Sequence, residues 1–374
     1  MSGKHRSGRR VVTRSEYILK RLLIIIGCLL AVGVILAGTV KIVTIVGRNR
    51  LAGNANTEGP TLTDDDESGL KTDPVYSSDW QEDWISFEGK AYKYNDQIRT
   101  FLIMGIDDAH KTGEVDYGDL TAGGQADGLF LVIFNPVDET IKILAVNRDT
   151  EVDIVMVGLG ENGGDKWIRS EISVQHAFGG GGEYSCELTR DAVSKLLYDM
   201  PIHGYAAVNY QAIPMINDSV GGVSLTIPDD MTDAAGGNKA WKPGTSIDLK
   251  GKEAYDFVHY RDVNVFESQR MRLARQKLYL KTFVKKMKAE TKENITLPVT
   301  IFNNAKEYIT SDLTVDEIGY MASEYLGYTF DEDDIYTMEG ETKTDEEDYE
   351  YFYPDEQALR ELIIKLFYVE VDRQ

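Results

Sequence analysis

Three apolar runs, IRTFLIMGIDD (98–108), QADGLFLVIFN (125–135) and IKILAVNRDT (141–150), decide how this chain folds. The second and third are β-branched and aromatic, and the turn residues Asn135, Pro136 and Asp138 lie between them. Leu129–Asn135 and Ile141–Asn147 are therefore predicted to form a hairpin, with Ile98–Ile106 as a further strand. Downstream, the spacing of Ala192, Val193, Leu196 and Leu197 predicts a helix over Leu188–Met200. A strand at Tyr205–Tyr210, a short helix at Gln211–Ser219, a strand at Val223–Ile227, and helices at Leu249–Tyr260 and Met271–Met287 follow. Thr314 and Glu317 have capping-box spacing and open a helix to about Tyr325; Glu356–Tyr368 predicts a terminal helix. Mixed strands and helices that begin with an antiparallel pair indicate an α/β or α+β sandwich.

The 374 residues, 42% hydrophobic and 27% charged, are enough for one or two domains with a full core. Charge is uneven: residues 1–50 hold ten Lys/Arg against the single acid Glu16, although the whole chain carries −22. The acidic remainder argues against nucleic acid as a partner, since phosphate binding begins with a basic face. Leu22 to Val40 is 19 residues without a charge, about 29 Å of helix, close to the bilayer's hydrocarbon thickness. Seven Lys/Arg precede it and three follow closely, which places the N-terminus in the cytoplasm and the rest outside. A cleaved signal peptide is the alternative, but the run exceeds a usual h-region and Ala37, Gly38 and Thr39 form a poor cleavage site. Residues 1–21 are thus a cytoplasmic basic tail, 22–46 a transmembrane anchor and 47–83 a flexible acidic stalk, with order expected from Trp84.

Several places could carry chemistry. Asp107 and Asp127 flank two apolar strands; if these lie antiparallel, both carboxylates reach one sheet edge, where a hard divalent cation would suit them. Ordinary strand-end turn chemistry explains the same residues. Arg148 leaves the strand IKILAVN with a planar fork that matches phosphate, or pairs locally with Asp149. Between Arg261 and Lys288 stand nine Lys/Arg and two acids, the natural place for an anion. On a helix Arg272, Arg275 and Gln276 share a face and could hold one phosphate; a solvated basic face is the plainer meaning of such a run. Gly179–Gly182 lacks the Gly-Lys-Ser/Thr of a P-loop and reads as a loose approach to a helix, and His176 reads as structural. No Gly-x-Ser-x-Gly, His-Glu-x-x-His or Cys/His cluster occurs.

Taken in order, FLIMGIDD, QADGLFLVIFNP, ILAVNRDT, VQHAFGGGGE, YAAVNYQAI, NDSVGGVSLTI, LKGKEAYDFVHYRD and RMRLARQ, behind a basic tail and one span, resemble the LytR-CpsA-Psr (LCP) proteins of Gram-positive bacteria. The resemblance covers roughly Ile98 to Met287. It implies an α/β/α sandwich with a central mixed sheet, preceded by one transmembrane helix. Residues 84–290 would be the extracellular catalytic domain, and 291–374 an acidic extension completing or flanking it. The implied activity is a phosphotransferase that moves a glycopolymer (teichoic acid, capsule or another) from a polyprenyl pyrophosphate carrier to peptidoglycan, with Mg²⁺ or Mn²⁺ assisting and pyrophosphatase activity alongside. The prenyl tail would lie in an apolar tunnel under the sheet, next to membrane lipid. By this resemblance Asp107 matches the acid of the family's Gly-Ile-Asp and Asp127 that of Arg-Ser-Asp; both would hold the metal, and Asp107 would also orient or deprotonate the acceptor hydroxyl. Arg148 matches Pro-Arg-Asp, Arg261 the second arginine of Arg-x-Arg, and Arg272, Arg275 and Gln276 match Arg-x-x-Arg-Gln, all facing the pyrophosphate, with Asp107, Arg148 and Arg261 as the catalytic set. Two positions depart from the pattern: Gln125 and His259 stand where the family has arginine. Both can still bind pyrophosphate through hydrogen bonds, but two fixed charges are missing, and a membrane-anchored binder or scaffold for lipid-linked glycopolymer is the alternative reading.

Overall fold

The computed structural model describes residues 45–51, 59–62, 81, 83–108, 123–229, 231, 241–262, 264–331 and 333–371. The three apolar runs build the centre of a six-stranded mixed sheet. In it β3 (Arg99–Ile106) and β4 (Ala126–Asn135) are antiparallel, as are β4 and β5 (Thr140–Val146). Parallel to β3 lies β8 (Gly204–Asn209), and β11 (Ile309–Ser311) and β12 (Ile335–Thr337) form the two edges, in the order β11-β8-β3-β4-β5-β12. Smaller pairs surround it: β6 (Glu151–Met156) with β7 (Lys166–Glu171), β9 (Val223–Thr226) with β10 (Ser246–Leu249), and β13 (Gly340–Thr344) with β14 (Glu350–Pro354). A three-stranded sheet joins β1 (Trp84–Phe87), β2 (Lys90–Tyr94) and β15 (Tyr368–Glu370).

Alternation along the strands creates two unequal faces. Leu102, Met104, Leu129, Leu131 and Ile133 are buried on one face, against Ala192 and Val193 of α2 (Gly182–Leu196) and Leu359, Ile363 and Phe367 of α8 (Glu356–Phe367). Phe130, Val132 and Phe134 on the opposite face are only half-buried. They meet Leu280 and Val284 of α5 (Ser268–Glu293), Met321 of α7 (Val315–Glu324), and the aromatic cluster Tyr325, Tyr328 and Phe330. The incompletely packed face is the one with room for a ligand.

Several boundaries differ from the sequence reading for identifiable reasons. Helix α2 starts six residues earlier than Leu188, straight after a glycine run, and ends before Tyr198 and Asp199, which hold left-handed φ of 59° and 60°. Leu249 closes β10 instead of opening a helix; Gly251, at φ 51°, turns the chain into α4 (Lys252–His259). The short helix α3 (Ala212–Ser219) lies where expected, α1 (Val174–Phe178) and α6 (Leu297–Ala305) were not foreseen, and α5 runs across residue 290. Residues beyond 290 supply both sheet edges, β11 and β12, so no structural unit ends there. The capping box of α7 is formed: Thr314 Oγ1 accepts from Glu317 N at 3.3 Å and the Glu317 carboxylate accepts from Thr314 N at 2.7 Å.

Most of the expected anchor, residues 22–44, lies outside the described residues, among which no helix is long and apolar enough to cross a membrane. Within the segment read as a flexible stalk, residues 59–62 are held instead. Thr61 N donates to Tyr198 O at 2.7 Å, Thr61 Oγ1 donates to Asp199 at 3.0 Å, and Leu62 packs on the main core. Acidic, polar composition suggested a free linker, but one leucine, one backbone N–H and one hydroxyl find partners on the domain.

Buried His203 ties β3 to the strand start of β8: its Nδ1 accepts from Thr100 N at 3.1 Å, while Thr100 Oγ1 donates to Pro201 O. Burial pushes the imidazole down to about 4. Folded-state depression below the ordinary 6.5 means that this neutral histidine contributes stability above pH 6.5 that is lost as pH falls through about 4. Urea unfolding between pH 7 and 4 should show a fall of up to about 3 kcal/mol from this group. His203→Asn, whose Oδ1 can accept the same N–H, should flatten that part of the slope.

Candidate active site

The site begins where β3 and β4 part. Asp107 follows β3, its N–H donating to Gln125 O at 2.9 Å, and Asp127 stands one residue inside β4, so pairing of the two strands brings the carboxylates to one edge. Gly124, at φ 67°, makes the approach possible, since a Cβ there would meet Asp107 O at 3.0 Å.

Arg148, just past β5 and 8% exposed, reaches under this edge. Its Nη1 donates to Asp127 Oδ1, and its Nη2 donates to Gln125 Oε1 at 2.6 Å, Ser173 Oγ at 2.8 Å and Glu171 Oε2 at 3.1 Å. Asp149 Oδ1 is 3.1 Å from its Nε. Burial opposes the guanidinium charge, but Asp127, Asp149 and Glu171 outweigh it and hold the group charged. Asp149 is pushed up to about 6, chiefly by burial, against the pull of Arg148.

From the other side Arg272, buried at 3% exposure, donates from Nη1 to Asp127 Oδ2 at 2.9 Å, while its Nε donates to Gln269 Oε1 at 2.8 Å. Asp127 is thus gripped by two guanidinium groups, one on each oxygen. Asp107 is more exposed and faces His259, whose Nε2 is 3.6 Å from Asp107 Oδ1 and 3.9 Å from Asp127 Oδ2. The neighbouring imidazole is the main cause holding Asp107 below its usual carboxylate range. His259 ends α4, stacked on Tyr255 at 4.6 Å, which leans on Tyr210 at 5.0 Å.

Arg275 and Gln276 do not join this cluster as one phosphate clamp with Arg272. The last carbonyls of α4 have no intrahelical partners, and they claim both side chains: Arg275 donates to Phe257 O at 2.9 Å and to Tyr260 O, and Gln276 donates to Val258 O at 3.2 Å. Arg275 is 1% exposed, and burial brings it down to about 10. Both residues therefore fasten the end of α4, and with it His259, to α5. Arg261 lies close enough to the cluster to influence Asp149 and Arg272. Arg261 Nε and Arg272 Nη2 are buried with no hydrogen-bond partner among the described residues.

Sequence reasoning missed Glu171, Ser173 and Gln269, the groups that orient the arginines. Gln269 could have been found from its i,i+3 spacing to Arg272, as Tyr255 could from its i,i+4 spacing to His259; Glu171 and Ser173, on β7 and the turn after it, carry no local signal. His176 is structural, as read: buried, its Nδ1 on Gly123 O at 2.7 Å and its pKa lowered by burial.

Two spaces meet at the cluster. A cavity of about 190 Å³ runs beneath the half-buried sheet face, walled by Ile103, Phe130, Val208, Ile213 and Leu280, and includes Asp107, Asp127, His259 and Arg272 in its lining. A larger groove of about 1050 Å³ lies beyond Asp149 and Gln269, bounded by α5 and the β13–β14 pair.

Residues 61–367 match the LytR_cpsA_psr family. The chain is 25% identical over 244 residues to the polyisoprenyl-teichoic acid–peptidoglycan teichoic acid transferase TagV of Bacillus subtilis, covering 64% of this chain and 56% of that protein. It is 28% identical over 250 residues to the transferase TagU of Bacillus cereus, covering 65% of this chain and 72% of that one. The crystal structure of B. subtilis TagV superposes with a TM-score of 0.53 at 24% identity, over 72% of this chain and 95% of that one, which shows a shared fold. With more than three-quarters of its length inside the family's match, the chain belongs to the LytR-CpsA-Psr family.

Proposed function

We propose that this protein is a phosphotransferase that moves a glycopolymer from a polyprenyl pyrophosphate carrier onto peptidoglycan. The observation that carries the reading is the juxtaposition of an apolar cavity with a buried guanidinium cluster that keeps unpaired N–H groups, Arg261 Nε and Arg272 Nη2, beside two carboxylates. A prenyl chain suits the apolar walls, and a pyrophosphate suits the arginines at their mouth. The names of the relatives support the same class of reaction.

In the reaction the acceptor hydroxyl oxygen bonds to the phosphorus that carries the glycopolymer. The bond from that phosphorus to the bridging oxygen breaks, polyprenyl phosphate leaves, and the hydroxyl proton is released. Asp107, the more exposed carboxylate, is placed to orient that hydroxyl and receive the proton. Arg148 and Arg272 are held by their ion pairs and hydrogen bonds before substrate arrives, with Arg261 near them and its Nε–H unpaired among the described residues, so they stabilise charge on the phosphoryl oxygens with little reorganisation. Asp127 keeps two of them in position. The donor set also fits a divalent cation: Asp107, Asp127 and His259 offer ligand atoms within 4.8 Å of one another. Asp107 and Asp127 would hold Mg²⁺ or Mn²⁺, which when bound neutralises charge on the pyrophosphate.

With the full-length chain in detergent and a short-chain polyprenyl pyrophosphate glycan, turnover should require a divalent cation and stop with chelator. Arg148→Ala and Asp127→Ala should each lower kcat by roughly 10²-fold or more. Tight donor binding with no turnover, even with peptidoglycan present, would favour a scaffold, the reading that Gln125 and His259 motivate. The division between Arg272 and Arg275 gives a second test. Arg275→Gln should lower the unfolding free energy by about 2–3 kcal/mol through lost buried bonds to α4 with little change in kcat, whereas Arg272→Gln, which also breaks a buried ion pair, should lower kcat by roughly 10²-fold on top of its cost in stability.

A further inference from the structure

Resting on the cation reading above, we propose that His259 is the third ligand of the metal and that it turns this site from Mg²⁺ toward Mn²⁺ and the later first-row cations. Three side chains from three elements converge: Asp107 after β3, Asp127 in β4 and His259 at the end of α4, with one ligand atom from each lying within 4.8 Å of the other two. The two separations from Nε2, 3.6 and 3.9 Å, are wider than direct hydrogen bonds. Metal bonds of about 2.1–2.3 Å set adjacent ligands roughly 3 Å apart, so closure around an ion requires each atom to move by less than about 1 Å.

The imidazole is oriented for this. Its ring is stacked on Tyr255, itself against Tyr210. The helix end that carries it is fastened by Arg275 and Gln276 to the same α5 from which Arg272 grips Asp127. Packing therefore aims Nε2 at the two acids, and one helix fixes both sides of the site.

Chemistry supplies the selectivity. Where the family pattern has a guanidinium, which has no lone pair to donate, this chain has an imidazole, which can bind a metal. Mg²⁺ takes oxygen ligands and keeps its waters, while imidazole nitrogen suits the first-row metals from Fe²⁺ to Zn²⁺, with Mn²⁺ the weakest-bound member of that row and still at home among carboxylates. A metal-bound imidazole is neutral, so the two carboxylates supply the negative charge at the ion, one of them shared with Arg148 and Arg272.

The test uses Mn²⁺ alone with the full-length protein in detergent, read by pulsed electron paramagnetic resonance. The expected result is nitrogen modulation from a directly bound imidazole that changes on [¹⁵N]histidine labelling and disappears in His259→Gln. Mn²⁺ affinity should fall about tenfold or more in that variant, since loss of even an outer-shell partner costs that much, while Mg²⁺ affinity, measured by competition, changes by less than about threefold. His259→Glu, an oxygen ligand at the same place, should move the preference back toward Mg²⁺. Mn²⁺ bound in a manner sensitive to Asp127→Asn but without nitrogen modulation would overturn the inference alone and leave His259 to the substrate. Absence of Mn²⁺ binding, or binding indifferent to Asp127→Asn, would overturn the cation reading with it.

Discussion

The structure turns on the grip of two arginines on Asp127. One carboxylate, mostly removed from water, takes Arg148 on one oxygen and Arg272 on the other, and so joins the sheet to α5 at the point where chemistry is proposed. Charges so buried are costly unless paired; taking away one partner costs about 3–5 kcal/mol. Glu171, Ser173, Gln125 and Gln269 complete the pairing, from three separate parts of the chain. An arrangement of this kind pre-pays the ordering of positive charge that phosphoryl transfer needs.

The sheet prepares the same point from below. Its first face is closed by α2 and α8 into a dry core, while its second is left short of side chains between β3, β4, β8 and α5. The apolar cavity that results ends at Asp107 and Asp127. The proposed carrier joins an apolar chain to a charged headgroup, and the half-packed sheet face lies beside the arginine cluster at its edge.

The two departures from the family pattern act differently. Gln125 spends its carbonyl on Arg148, so it joins the scaffold of the arginine rather than adding charge. His259 instead faces the carboxylates, stacked and fastened through α4. One position thus carries a structural hydrogen bond, and the other a group able to donate a lone pair.

Local pattern settled much of this chain. The apolar, β-branched runs at 98–106, 129–135 and 141–147 predicted three strands, the last two as a hairpin, because residue type and turn residues are short-range properties; the antiparallel pairing of the first two that sets Asp107 beside Asp127 was a condition that the tertiary structure met. Eight short motifs in order, behind a basic tail and one apolar run, carried the family, and helical spacing and capping residues located α3, α5, α7 and α8 to within a few residues at most ends. Fold-level contacts decided the rest. Strands of three or four residues such as β11, β12 and β15 are made by partners 100 to 280 residues away and have no periodicity of their own. Arg272 and Arg275, three apart with the same side chain, were indistinguishable in sequence. The first found a carboxylate and the second the unpaired carbonyls of α4, because side chains on one helix face answer to what the neighbouring elements leave unsatisfied.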